Sequence, residues 1–282
     1  MGLPAFGTPV AELRARCAPS LDALLARTED ARDPGEHDEL WVLRFVLEHA
    51  DVNVAEAALR ATLAWQRGEG APIVRAAKEA LAAATAGGGW NNEPIVERAP
   101  HAALIRPFMG AAQVQTIPSK GGEYLIYTIR ASAIDDKALM RSVSAEQLSD
   151  FFVFAKEVNA RVALQRTAAT GKLVGLVTAN DLTGISLFGS SQFRSALSAA
   201  SKRTAALYPA LLGPTVLLNL PPLLGALVKL FTPLFPKAVL DKLRFESGPL
   251  KDVADLRVLL RSAGGPERDA FLADIDACVR RR

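Results

Sequence analysis

Thiol and imidazole chemistry have little to work with in this chain, whose 282 residues include two cysteines and three histidines. Cys17 and Cys278 form no CxxC, metal or disulfide spacing, so a reducing compartment is the simplest setting. His37, His49 and His101 match no HExxH or comparable ligand pattern; no metal and no cofactor is expected. Also missing are a G-x-G-x-x-G turn after a strand, a P-loop and a G-x-S-x-G nucleophile elbow, so no catalytic residue is nominated. Charge of one sign is lacking too: 33 basic against 30 acidic residues leave +3, too balanced for nucleic acid to be the partner. The start, MGLPAFGTPVAELRARC, lacks the basic segment and apolar run of a secretory signal, and the expectation is a cytoplasmic protein.

What is present is apolar. Half the residues are hydrophobic and 22% are charged, a globular composition long enough for one large or two small domains. Between Arg203 and Lys229 no residue is charged, yet Pro209, Pro214, Pro221 and Pro222 interrupt the run. Prolines would strand backbone groups in lipid, so a spanning helix is not expected, and the run belongs in a core or against an apolar ligand or membrane.

Periodicity divides the chain. Residues 9 to 86 are predicted helical: Leu40, Leu43, Val46 and Leu47 alternate with acidic residues. Asn53 and Glu56 suggest a capping box for a helix with Val54, Ala58, Thr62 and Trp65 along one side. Gly87, Gly88 and Gly89 mark a boundary, giving a helical module over 1–89 and a second domain over 90–282. Beyond it, 113–117 and 123–130 have strand composition, and Ser144 with Gln147 opens a helix striped by Leu148, Phe151, Phe152, Ala155, Val158 and Val162. Runs at 173–178 and 215–218 resemble buried parallel strands, 190–207 and 222–242 helices, and 244–246 a last strand before helices at 251–262 and 266–280. Strands alternating with helices predict an α/β domain with a mostly parallel sheet. Asp181, at the end of a strand, is the one candidate base for an enzyme, against the simpler reading of a turn or cap residue.

The segment 43–67 carries Leu43-Arg44-Phe45, Asn53-Val54, Ala57, Leu63 and Trp65 in the order of the N-terminal signature of the CRAL-TRIO family. Thr178, Asp181, Leu182 and Gly184 then resemble the family's strand, acidic residue and glycine. Tyr208-Pro209, Gly213 and Asn219-x-Pro221 resemble the next strand and its exit, and Phe231-x-Pro233 with Lys242 the gate region. The resemblance spans roughly residues 38 to 262, and its weight lies in the ordered series.

This resemblance implies a lipid or lipid-like molecule held in a pocket floored by the sheet, closed by an amphipathic gate helix, and transferred or presented between membranes without chemistry. Val174, Leu176 and Thr178 share a strand face, as do Val216 and Leu218. With Leu227, Phe231 and Leu234 of the gate they are the expected pocket lining. Lys229, Lys237 and Lys242 beside Leu230 and Phe235 are the expected docking surface for a transient, anionic membrane. The competing reading is a protein-interaction module of the same fold, binding a small GTPase or other partner without a transferable lipid. Inositol-lipid members of the family carry Glu-Arg after Tyr-Pro, and here those positions are Ala210 and Leu211. A lone Lys242 supplies charge without a shaped headgroup site. Phosphatidylinositol is therefore expected to transfer no faster than phosphatidylcholine in a vesicle assay, and a clear preference for it would overturn this reading.

Overall fold

The computed structural model describes residues 6–183, 189–219, 243–246, 250, 253–260 and 265–280. Helices come first: α1 (Val10–Arg27), α2 (Glu39–Glu48), α3 (Val52–Arg67) and α4 (Ala71–Thr85). The Asp38 carboxylate accepts from the Trp41 amide at 2.9 Å to start α2. The cap of α3 is Asp51, not Asn53: its carboxylate takes the amides of Asn53 and Val54 at 2.7 and 3.2 Å. The carboxylate two residues earlier reaches both orphan donors, which places Asn53 in the first turn. The buried side of α3 shifts accordingly to Ala55, Leu59, Thr62, Leu63 and Trp65, and Val54 is 52% exposed.

Short helices α5 (Glu93–Glu97) and α6 (Ala102–Ile105) lead into the hairpin β1 (Val114–Pro118) and β2 (Tyr124–Arg130), with Gly122 at φ 71° in its turn. Then come α7 (Asp136–Ser142), α8 (Ala145–Thr170), β3 (Gly175–Asp181), α9 (Ser191–Leu207), β4 (Leu212–Leu218), β5 (Leu243–Glu246) and α10 (Pro266–Arg280). The capping box on α8 is formed, Ser144 and Gln147 each bonding the other's backbone amide. The helix anticipated at 251–262 is a 3-10 turn at Leu256–Leu260 within its described part.

The strands lie in the order β1-β2-β3-β4-β5, β1 antiparallel to β2 and the other pairs parallel. This is an α/β fold with a mostly parallel sheet behind an N-terminal set of helices. One face of the sheet, here the front, packs Val114, Leu125, Tyr127 and Leu176 against Phe151, Phe154 and Ala155 of α8 and Phe193 of α9. The back packs Ile117, Ile126, Val177, Ala179, Val216 and Leu218 against Leu250, Leu256, Phe271 and Ile275.

Arg44 ties α2 to the sheet domain. Its guanidinium donates to the carbonyls of Ala210 at 2.9 Å and Val174 at 2.7 Å and to the Thr167 hydroxyl at 3.3 Å. Burial lowers its pKa to about 10, which leaves it charged at neutral pH. The Ala210 amide in turn donates to Glu48 at 3.0 Å.

On the back face the N-terminal segment is clamped by Gly7 and Thr8, which bond Leu173 at 2.9 Å each. That clamp lays Phe6 over Gly175 and Gly213, where a methyl group on either glycine would overlap the ring. Gly175→Ala is expected to cost about 1–3 kcal/mol in urea unfolding, the usual range for overpacking. In a Phe6→Ala background the same substitution should cost much less, because the overlapping atoms are gone.

Candidate ligand face of the sheet

Parallel strands bind ligands beyond their C-terminal ends, so the exposure of β3 and β4 there is informative. On the back, Val177, Ala179, Val216 and Leu218 are each 0% exposed. On the front, Thr178, Asn180, Thr215 and Leu217 are all half-buried. The same strands are thus sealed on one side and accessible on the other.

Register defines a polar row across that front face. Thr116 pairs with Tyr127, Tyr127 with Thr178, and Thr178 with Thr215, so the four side chains lie side by side on one face. Thr116 Oγ1 donates to Asn159 Oδ1 of α8 at 3.1 Å. Lys156, also from α8, donates to Thr178 Oγ1 at 3.3 Å and stands 4.7 Å above the centre of the Tyr127 ring. The residue is half-buried, but its ammonium is deep enough that desolvation lowers its pKa to about 8. Burial also raises the pKa of the Tyr127 phenol, whose hydroxyl has no hydrogen-bond partner.

Of the sequence-nominated lining residues, the register brings Val174, Leu176 and Thr178 to the front. Val174 and Leu176 are both 0% exposed beneath the helices, and Thr178 alone of the three is accessible. Val216 and Leu218 lie on the back instead, paired with Ala179 and Asp181. A strand's alternation shows which of its residues share a face, but only its pairing decides which face that is. The front positions of β4 are Thr215 and Leu217. Leu227, Phe231 and Leu234, and the docking residues Lys229, Leu230, Phe235, Lys237 and Lys242, lie outside the described residues.

Lys156, Tyr127 and Thr215 were not nominated from sequence. One signal was available for the first: Lys156 directly follows the apolar run FFVFA and stands one turn after Phe152, on the apolar stripe of the helix.

Asp181 is on the back face, and its carboxylate is engaged structurally. Oδ1 accepts from the Thr183 amide at 3.1 Å, the Thr183 hydroxyl at 2.6 Å and Asn219 Nδ2 at 3.0 Å, while Oδ2 pairs with Arg130 Nε at 3.1 Å. Arg130 continues to the Leu250 carbonyl at 2.7 Å. The carboxylate thereby joins the ends of β2, β3 and β4 on a face closed by the C-terminal segment. Ala210, at the position where inositol-lipid relatives carry Glu, is built into the contact with α2 at φ 49°. Among the described residues no group of side chains is suited to a metal ion, and no helix is long and apolar enough to cross a membrane.

The sheet is thus closed behind and partly accessible in front, with α2 tied by Arg44 to the segments leading into β3 and β4. The family model for the CRAL/TRIO domain matches residues 122–265, and the chain belongs to the CRAL-TRIO family of lipid-binding and lipid-transfer proteins. The solved crystal structure of Sfh5 is similar at 12% identity with a TM-score of 0.49, over 86% of this chain and 81% of that one. A search of curated proteins finds no match.

Asp181→Ala should destabilise the fold by about 3–5 kcal/mol in chemical unfolding, because it leaves the Arg130 guanidinium buried without its partner. A loss below about 1 kcal/mol would show that the carboxylate does not join the strand ends.

Proposed function

We propose that this protein holds one hydrophobic, lipid-like molecule against the front face of its sheet and transfers or presents it between membranes without catalysis. The observation that carries this reading is the asymmetry of β3 and β4: apolar and closed on the back, half-accessible on the front along Thr178, Asn180, Thr215 and Leu217. Family membership supports it. On this reading Leu227, Phe231 and Leu234 close over the ligand, and the protein works at the cytoplasmic surface of membranes as a peripheral visitor.

Native mass spectrometry and solvent extraction of the purified protein test the proposal directly. One lipid per chain is expected. Protein that purifies empty and takes up no lipid from mixed vesicles would overturn it and leave the interaction module as the better account.

Two variants refine the test. Thr215→Trp adds bulk to an accessible front position, unlike a change at buried Leu176, and should cut lipid occupancy several-fold at unchanged melting temperature. The triple change Lys229→Glu, Lys237→Glu and Lys242→Glu should weaken binding to anionic vesicles at low salt and slow transfer, since each cation near such a surface is worth on the order of 1 kcal/mol. Occupancy of the loaded protein should not change.

A further inference from the structure

The front face carries one feature that core packing does not explain. Lys156 has a single hydrogen bond, to Thr178 Oγ1, and the face of the Tyr127 ring; no carboxylate among the described residues pairs with it. An ammonium offers three donors, so most of its capacity is unused. The Tyr127 hydroxyl is likewise unpartnered on a residue only 3% exposed, and its side chain borders a small cavity with Thr116, Ala155 and Asn159. Buried polar groups in native structures are nearly always satisfied, and a cation set among apolar side chains without a counter-charge costs stability. The ring face recovers part of that cost, and a pKa near 8 keeps the lysine mostly protonated at neutral pH.

The other buried cations differ in this respect. Arg44 fills its donors with two carbonyls and a hydroxyl, and Arg130 has the Asp181 carboxylate. Lys156 alone among these three leaves its charge uncompensated, and it does so on the accessible face of the sheet, over a row of hydroxyls.

We propose that Lys156, Thr178 and Tyr127 form the head site for an anionic lipid, the carboxylate of a single-chain fatty acid or similar amphiphilic acid. The inference rests on the lipid-binding reading above and names the ligand class. One ammonium and two hydroxyls match one negative charge shared by two oxygens. A phosphate monoester would bring more charge and more acceptors than the three groups neutralise. A choline headgroup would bring its own cation toward the lysine, and a neutral ester or sterol would leave the ammonium unpaired.

The full-length protein, stripped of co-purified lipid, is titrated by calorimetry with oleic acid, oleyl alcohol and sodium acetate, in wild type, Lys156→Met and Tyr127→Phe. Wild type is expected to prefer oleic acid over the alcohol by about tenfold or more, the scale of a charge-assisted hydrogen bond. Lys156→Met should lose that preference and still bind the alcohol, with a melting temperature equal to or above wild type because an unpaired charge has been removed. Tyr127→Phe, which deletes only a hydroxyl, should reduce the preference part-way.

Equal affinity of wild type for acid and alcohol would overturn the head site while leaving lipid binding intact. A Lys156→Met protein that is less stable yet retains the acid preference would make the lysine structural and overturn it as well. Acetate competing at the concentrations where oleic acid binds would show a free-anion site rather than a lipid head site. Failure of every chain to bind, with no co-purified lipid, would instead overturn the lipid-binding reading on which the inference stands.

Discussion

The pairing of β3 with its two neighbours is the constraint on which the other features of the fold depend. Seven residues of β3 are matched to β2 and most of the same strand to β4, all in parallel. That phase sends Val177, Ala179 and Asp181 to the back, where the C-terminal segment covers them, and Leu176, Thr178 and Asn180 to the front. A slip of β3 by one residue would exchange its two sets, placing the Asp181 carboxylate over the helices and Thr178 on the back. Asp181 itself opposes such a slip, since its bonds to Arg130, Thr183 and Asn219 close only in this register.

Comparing the buried charges separates architecture from chemistry. Arg44 binds two carbonyls just before β3 and β4, where α2 meets the N-terminal ends of these inner strands. Arg130 and Asp181 form an ion pair with further hydrogen bonds on each side, the geometry in which a buried pair is tolerated. Lys156 has neither arrangement. Two of the three are explained by the fold they hold together, and the third is not.

Much of this was legible in the sequence, and the limits have physical causes. The capping box at Ser144 and Gln147, the stripe of α8 and the strand EYLIYTIR were readable because each is a local pattern with its own hydrogen-bond or burial logic. The ordered motifs around Thr178, Asp181 and Tyr208-Pro209 identified the family for the same reason. The start of α3 was misplaced by two residues because Asp51 and Asn53 are both competent caps and only the backbone geometry chooses between them. The side to which Val216 and Leu218 point was not legible at all, since it is set by pairing with residues far away in sequence. Lys156 was passed over because a single cation in an amphipathic helix is normally a solvated one, and its depth became evident only against Tyr127 and Thr178.

The composition of the back face bears on how the chain is made. Its apolar layer draws on Phe6, on the first four strands, and on Leu250, Leu256, Phe271 and Ile275. During synthesis the first four strands emerge from the ribosome before the residues that cover their back, which follow them in the chain. For that interval the nascent protein displays Ile126, Val177, Val216 and Leu218 to solvent, a surface of the kind that chaperones hold and that self-associates when they do not. The front face, left accessible in the mature fold, is therefore the lesser hazard in biogenesis; the greater one is the face that ends up sealed.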